Sequence, residues 1–267
     1  MAAVLPVLMF HALDDRSSAL SFAPRMFRHG MARLQERRYR ALGLQETVDS
    51  MREGQALPDR AFVLTFDDGY QSVYTEAFPV LQHYRWPATV FLTVGQNRKV
   101  HAEDRLPIRE DRPMLAWNEI REMHRWGIDF GAHTLTHPDL TRLPLRQVEA
   151  EVRDSKAMIE EALGATVASF AYPYGRYDRQ SHEVVQRHFA CAVSDTLGLI
   201  TVRSDPHALE RVETYYLRTE RLFALMLTNL FPWYLRARRI PRWIRSTALL
   251  RLREGVRNQR LQKRDNE

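Results

Sequence analysis

The sequence of 267 residues predicts an α/β fold, an incomplete or distorted βα barrel of seven strands with a basic, amphipathic C-terminal appendage. Short apolar runs alternate with segments of helical periodicity, which is typical of βα units around a mainly parallel sheet. The apolar fraction of 45% and the charged fraction of 27% indicate an ordinary globular protein with a substantial core. The predicted strands cover residues 4–10, 39–44, 61–66, 88–94, 128–133, 167–172 and 189–194.

The predicted helices lie between these strands and carry start and stop signals. Pro24 suits the first turn of a helix, whereas Gly127 and Gly164 suit the position just after one. Pro79 predicts that the helix after the third strand is kinked or begins late. Residues 95–114 show no periodicity, and we interpret them as a loop.

The C-terminal segment differs in composition, so we divide the chain into a barrel domain (1–218) and an appendage (219–267). Residues 211–267 contain 14 Lys or Arg and 5 Asp or Glu, which leaves the rest of the chain slightly acidic. Aromatic and apolar residues interleaved with the basic ones favour peripheral contact with an anionic membrane over nucleic-acid binding, with a solvated helix as the alternative. Because no secretory signal or membrane-spanning stretch is visible, we expect a cytoplasmic protein that contacts the inner membrane face.

Cysteine usage limits the kinds of site that the chain can build. The single cysteine, Cys191, excludes an intramolecular disulfide and a thiolate metal cluster. Its apolar context, HFACAVS, favours a small buried hydrophobe over a nucleophile.

The segment VLTFDDGY, residues 63–70, is the strongest candidate for chemistry. An apolar strand ends in Asp67, Asp68 and Gly69, and side chains at the carboxyl ends of barrel strands converge on a shared pocket. Consecutive residues of a strand point to opposite faces, so both carboxylates can serve the pocket only if the chain turns, which Gly69 permits. A helix N-cap accounts for one aspartate but not comfortably for both.

A second polar stretch, FGAHTLTHPDL, follows the predicted strand at 128–133. His133 and His137 are four residues apart, so on a single helical turn their imidazoles face the same way. Two imidazoles and one carboxylate can bind a divalent cation and leave coordination positions open, as hydrolysis requires. The spacing alone is only suggestive, but together with the two aspartates it favours a metal site.

Two further strand ends are candidates. After the strand at 167–172, Pro173 and Gly175 force an irregular turn that exposes backbone N–H groups to the pocket, although taken alone the stretch is better explained as an ordinary loop. Near the start of the chain, the apolar run at 4–10 leads directly into His11. Taken alone, His11 is a polar residue at the end of a strand.

Together, TFDDGY, HTLTH and YPYG resemble, in order and spacing, three motifs of the polysaccharide deacetylase superfamily (NodB homology, carbohydrate esterase family 4). The resemblance covers roughly residues 4–215. It implies a distorted (β/α)7 barrel that hydrolyses an N-acetyl group on a sugar. It also implies that Asp68, His133 and His137 hold Zn²⁺ or another divalent cation such as Co²⁺, Ni²⁺ or Fe²⁺.

The same resemblance implies the remaining roles. Asp67 is expected to be the general base that deprotonates the metal-bound water. The backbone N–H of Tyr174 is expected to stabilise the oxyanion together with the metal. Tyr70, Pro173 and Gly175 are expected to contact the substrate, an N-acetylated glycan.

Two departures from the family pattern bear on catalysis. The arginine that opens the third motif and pairs with the catalytic base is Ala171 here. The histidine that protonates the leaving amine normally ends a strand near the C-terminus, and His182, His188 and His207 do not follow an apolar strand. The stretch PVLMFHAL instead resembles the start of a circularly permuted subgroup that deacetylates poly-N-acetylglucosamine, which implies that His11 is the general acid.

The sequence therefore predicts a metal-dependent deacetylase acting on an acetamido sugar in a polysaccharide, oligosaccharide or lipid-linked glycan. Two alternatives stay open: an amidase or deformylase acting on another carbon–nitrogen bond, and a non-catalytic glycan- or membrane-binding relic of the fold. The joint presence of a base, three ligands and an acid argues against the relic.

Overall fold

The structure, a computed structural model, describes residues 4–95 and 104–239. The strands are β1 (Val7–Phe10), β2 (Arg40–Leu42), β3 (Ala61–Phe66), β4 (Thr89–Leu92), β5 (Asp129–Ala132), β6 (Ser169–Ala171), β7 (Cys191–Leu197) and β8 (Leu209–Glu213). The helices are α1 (Pro24–Glu36), α2 (Leu44–Arg52), α3 (Phe78–Tyr84), α4 (Trp117–Trp126), α5 (Leu145–Leu163), α6 (Arg179–His188) and α7 (Glu220–Leu225). A further helical stretch covers residues 231–239.

Seven of these strands close into a parallel barrel. β1 pairs with β3, Val7 opposite Val63, and also with β8, Leu8 opposite Val212. The strands from β3 to β8 pair in sequence order, so the pairings of β1 complete the ring. The prediction of a distorted, seven-stranded βα barrel is confirmed.

The membership of the ring differs from the prediction in one strand. The predicted strand at 39–44 forms only as the short β2, which pairs with the start of β3 outside the ring. Its place is taken by β8, which the sequence pattern does not indicate. β8 reads LERVE and carries the buried Arg211, so it lacks the continuous apolar run by which buried parallel strands are recognised.

The strand residues alternate between two cores. One core joins the strands to the surrounding helices and includes Leu8, Phe10, Leu64, Phe66, Val90, Leu92 and Val212. The other contains residues of the opposite strand face, among them Val7, Val63, Phe91, Ala171, Val193 and Leu209. Because side chains alternate with a period of two, His11, Asp67 and Arg211 continue this second, inward-facing series at the carboxyl end of the barrel.

Helix boundaries follow the predicted signals. Pro24 lies in the first turn of α1, and α4 and α5 end at Gly127 and Gly164, both with left-handed backbone. Pro79 lies in the first turn of α3, which a π-helical turn precedes. Helical residues run without a break from 71 to 84, so this helical segment does not begin late; it is irregular instead, with the π-helical turn just before Pro79.

The described part of the appendage packs against the barrel. Its buried residues belong to the same core as the barrel helices; they are Phe223, Met226, Phe231 and Leu235. Residues 240–267 of the appendage and 96–103 of the predicted loop lie outside the described residues, and the domain boundary at 218/219 stays a prediction. In the described ranges, no helix has the length and apolar character needed to cross a membrane.

Candidate active site

Asp67 and Asp68 directly follow β3 at the carboxyl end of the barrel, and both are buried. The chain turns at Asp68 and Gly69, whose backbone φ angles are 71° and 79°. A side chain at Gly69 would collide with Leu106, whose Cδ1 lies 2.5 Å from the position of a Cβ. The turn predicted from the DDG sequence is therefore present, and it requires glycine at its second position.

Asp67 is paired with an arginine that none of the sequence motifs indicates. The buried Arg211 donates from its two terminal nitrogens to the two carboxylate oxygens of Asp67, at 2.8 and 2.7 Å. Its Nε donates to the Ser194 carbonyl at 2.8 Å. Burial alone raises the pKa of Asp67, but the charge and hydrogen bonds of Arg211 outweigh it and hold that pKa well below its usual range. Asp67 is thus ionised at neutral pH.

Arg211 supplies the counter-charge that the third motif lacks at Ala171. The guanidinium comes from β8 rather than from β6, so no local motif reveals it. The available signal is a charged residue two positions after Leu209, in the buried register of a strand-length segment. Such a residue needs a buried partner of opposite charge, because an unpaired buried charge is strongly destabilising.

His133 and His137 lie on an irregular segment after β5, so the predicted helical turn is wrong. Thr134 and His137 have left-handed φ angles of 68° and 59°. The Thr134 hydroxyl accepts the backbone N–H of His137 at 2.9 Å. This tight turn still brings the two imidazole rings together, with their centroids 4.7 Å apart.

Asp68 and the two histidines form a compact, buried group. Asp68 Oδ1 lies 3.8 Å from His133 Nε2 and 3.6 Å from His137 Nε2. One ligand atom from each residue lies within 4.8 Å of the others. His133 Nδ1 is 2.7 Å from the Ala171 carbonyl, which places the ring proton there and leaves the Nε2 lone pair toward Asp68.

The buried polar atoms of this group fit a divalent cation. Asp68 Oδ1, which lies near the Nε2 atoms of both histidines, is buried without a hydrogen bond, which is costly unless a positive charge satisfies it. Burial lowers the pKa of His133 and lowers that of His137 to about 3. Both rings are therefore neutral at neutral pH, the state in which imidazole binds a metal. One carboxylate and two imidazoles suit Zn²⁺ and several related cations.

The described part of the predicted loop at 95–114 reaches this group. Arg109 Nε lies 3.2 Å from Asp68 Oδ1, as an ion pair without hydrogen-bond geometry. The Leu115 backbone N–H donates to the Gly69 carbonyl at 2.9 Å, which ties the loop to the DDG turn. The loop thus adds a positive charge beside the candidate metal ligands.

His11 is the residue directly after β1, and its side chain lies beside Asp67. Its Nε2 is 4.0 Å from Asp67 Oδ2, and its side chain is 17% exposed, whereas that of Asp67 is buried. The three histidines late in the chain bond elsewhere: His182 to Asp205, His188 to Glu149, and His207 to the Phe189 carbonyl. The structure therefore places His11 beside Asp67, whereas the other three histidines bond to residues outside the candidate site.

The predicted substrate contacts occupy different environments. Tyr174, with a left-handed φ of 58°, is exposed, and its ring centroid lies 4.6 Å from that of His137. Pro173 is buried and Gly175 has a φ of 61°. Tyr70 is fully buried. The roles of these four residues in binding or catalysis stay predictions.

Comparison with known proteins identifies a family. Residues 54–190 match the family model described as polysaccharide deacetylase. The protein YxkH of Bacillus subtilis (strain 168) is 27% identical over 213 residues, 79% of this chain and 71% of that protein.

One curated relative and one solved structure are also similar to this chain. The poly-beta-1,6-N-acetyl-D-glucosamine N-deacetylase of Escherichia coli (strain K12) is 34% identical over 137 residues, 48% of this chain. The match spans only 20% of that enzyme's length. The solved structure of IcaB from Ammonifex degensii is 26% identical, with a TM-score of 0.69 over 85% of this chain and 96% of that chain.

Proposed function

The chain belongs to the polysaccharide deacetylase family of hydrolases, and we propose that it removes the N-acetyl group from an acetamido sugar by metal-dependent hydrolysis. The sugar is part of a polysaccharide, an oligosaccharide or a lipid-linked glycan. One juxtaposition carries the proposal: Asp67, held ionised by Arg211, lies next to the group formed by Asp68 and two neutral histidines.

Asp68, His133 and His137 would hold the cation, Zn²⁺ or another divalent ion such as Co²⁺, Ni²⁺ or Fe²⁺. When bound, the cation supplies Lewis acidity that polarises an amide carbonyl and strengthens water as a nucleophile. The bond from His133 Nδ1 to the Ala171 carbonyl supports this role, because it fixes which nitrogen is free to coordinate.

Asp67 is the proposed general base. Each carboxylate oxygen has two lone pairs, so Asp67 can accept a proton even though both its oxygens accept hydrogen bonds from Arg211. The fork of the guanidinium fixes the plane of the carboxylate, so the accepting lone pairs keep one direction. Because Asp67 is ionised without needing high pH, it is ready as a base at neutral pH.

His11 is the proposed general acid. An amide nitrogen leaves only with a proton, and general-acid help is worth about 10²- to 10⁴-fold in rate. His11 lies near Asp67 and is partly exposed, so it can reach a substrate that enters from solvent. The backbone N–H of Tyr174, whose ring lies against that of His137, is the proposed oxyanion donor.

Acetate release tests the proposal. Purified full-length protein is incubated with N-acetylglucosamine oligomers and with poly-N-acetylglucosamine, and its bound metal is measured. We expect acetate release by protein that carries a divalent cation. The isosteric Asp67→Asn variant is expected to keep the cation and lose turnover.

Other outcomes separate the alternatives. Hydrolysis of formamido or cyclic-imide substrates without release of acetate from any N-acetylated glycan would favour the amidase or deformylase. Glycan binding without any turnover would favour the non-catalytic relic. Full activity in protein stripped of metal would contradict the metal-dependent mechanism.

We further propose that the protein works in the cytoplasm, in peripheral contact with the inner membrane face. Trp233 and Leu230 are exposed, and the Arg236 guanidinium lies 5.1 Å from the Trp233 ring centroid; aromatic and basic residues together suit an anionic lipid surface. A triple variant, Leu230→Ser, Trp233→Ser and Arg236→Ser, changes these exposed side chains and leaves the buried Phe231 and Leu235 in place. It is expected to sediment less with anionic vesicles, and unchanged sedimentation would contradict the contact.

A further inference from the structure

We propose that Glu151 is a positioning residue that fixes the loop between the two metal-binding histidines. The inference rests on the proposed function, since it assigns His133 and His137 to one cation. It adds a residue that lies on a different element, α5, and whose hydrogen bonds go to the residues between the two histidines.

Both carboxylate oxygens of Glu151 are committed to the two residues in the middle of this loop. Oε2 accepts the backbone N–H of Leu135 at 2.8 Å and that of Thr136 at 2.9 Å. Oε1 accepts the Thr136 hydroxyl at 2.7 Å. Hydrogen bonds to an ionised acceptor are about twice as strong as neutral ones, so this side chain holds the loop firmly.

The loop needs such a holder because its backbone is irregular. Thr134 and His137 are both in the left-handed region, a conformation that for non-glycine residues persists only where the surroundings enforce it. The backbone N–H groups from 135 to 137 all bond to side chains, the first two to Glu151 and the third to the Thr134 hydroxyl. These are bonds that a strand or helix would otherwise supply.

Apolar contact also supports this side of the loop, because the partly buried Leu135 packs against the hydrophobic core. A cavity of about 520 Å³ lies between the loop and α5, lined by Leu135, Thr136, Glu151 and Met158 among others. Beneath it, α5 is anchored in the core by Val148, Val152 and Ile159. The carboxylate therefore ties the loop to a helix that the core holds in place.

The Glu151→Gln variant tests the role, because it keeps the shape but removes the charge: its amide oxygen can accept the two backbone N–H groups and its NH₂ can donate to the Thr136 hydroxyl, so bonds to an ionised acceptor become weaker neutral ones. We expect divalent-cation affinity to fall about 10- to 100-fold, the range for partners that orient metal ligands. Affinity is measured by competition with a chromogenic chelator, using Zn²⁺. The visible absorption spectrum of the Co²⁺-loaded protein is expected to change, because it reports the geometry of the ligands. Excess metal is expected to restore most of the kcat, with the KM for glycan unchanged.

Glu149→Gln is the matched control on the same helix. Glu149 bonds to Arg187 and His188 and not to the loop, so we expect wild-type metal affinity and a wild-type Co²⁺ spectrum. Equal melting temperatures in the two variants would show that the effect of Glu151→Gln is not general unfolding. Thr136→Val, which removes only the bond to Oε1, is expected to weaken metal binding less than Glu151→Gln.

The possible failures are distinguishable. If wild-type protein binds metal and releases acetate, but Glu151→Gln has the same metal affinity and Co²⁺ spectrum, this inference is overturned and the proposed function stands. If wild-type protein binds no divalent cation, both are overturned. Should Glu151→Gln fail to fold, Thr136→Val decides, and wild-type metal affinity in that variant would count against the role.

Discussion

The two ends of the barrel interior are built from the same strands but differ in what holds them. Toward the amino end, β1, β3 and β8 contribute apolar residues to one cluster, namely Val7, Val63 and Leu209. Two to four residues further along the same strands, the inward series consists of titratable groups, namely His11, Asp67 and Arg211. Along each of these strands, the inward-facing side chains thus change from apolar to titratable within two to four residues.

The carboxyl end of the barrel interior is fixed by paired charges rather than by apolar contact. Arg211 and Asp67 are both buried, and each satisfies the other. Taking these charges from water is costly, so this end adds little net stability even though losing one partner is severe. We therefore expect substitutions at the amino end to lower stability with little effect on turnover. Substitutions at the carboxyl end should lower turnover, and those that break the Arg211–Asp67 pair should lower stability as well.

The largest expected effect on turnover is that of Asp68→Ala. This change removes the single carboxylate from the candidate ligand set, so the cation should be lost. Because Lewis-acid stabilisation is worth several kcal/mol, kcat should fall about 10³-fold or more. Metal analysis and acetate release measure the two losses, and a metal-bound or active Asp68→Ala protein would contradict the assignment.

His11→Ala is expected to lower kcat by about 10²- to 10⁴-fold, the range for loss of a general acid. Bound metal should stay at the wild-type level, because His11 is outside the ligand group. The combination of intact metal and lost turnover distinguishes His11 from the ligands. A His11→Ala protein with wild-type kcat would show that another group protonates the amine.

Arg211→Met is expected to change the pH dependence. In the wild type the pKa of Asp67 is held low, so the ion pair stabilises the fold above the ordinary aspartate pKa of about 3.9, and this contribution is lost as pH falls. Without Arg211, burial raises the pKa of Asp67, so the acid limb of kcat/KM should move to higher pH. At neutral pH, the free energy of unfolding should drop by about 3–5 kcal/mol.

Two measurements check this prediction. A pH profile of kcat/KM locates the acid limb, and urea unfolding at pH 5 and pH 7 should show a smaller loss of stability at the lower pH. Arg211→Lys keeps the charge without the bidentate fork and should give an intermediate shift. An unmoved acid limb in Arg211→Met would mean that Asp67 does not control it.

The smallest expected effect on turnover is that of Leu209→Ala, two residues before Arg211 on the same strand. Deletion of this fully buried side chain should lower the free energy of unfolding by about 2–5 kcal/mol. With the variant folded, kcat should stay close to the wild-type value. A large drop in kcat with intact stability would show that the two ends of the barrel are not separable.

The sequence predicts most of the site because most of it lies in contiguous segments. The DDG turn places Asp67 and Asp68 together, and four residues separate His133 from His137, so each pair is local. Their geometry is partly misjudged, since the histidines meet through an irregular turn rather than a helical one. The four-residue spacing of the histidines predicts that they lie close together, but it does not predict the backbone conformation between them.

The sequence by itself determined the α/β barrel class, because alternating apolar runs and helical periods are local properties of the chain. It also determined the two carboxylates and two imidazoles that follow predicted strands. Only the tertiary structure decided that β8 completes the ring and that Arg211 pairs with Asp67, 144 positions earlier in the chain. The physical reason is that a buried charge is tolerated only beside its partner, and barrel closure, rather than sequence proximity, brings that partner there.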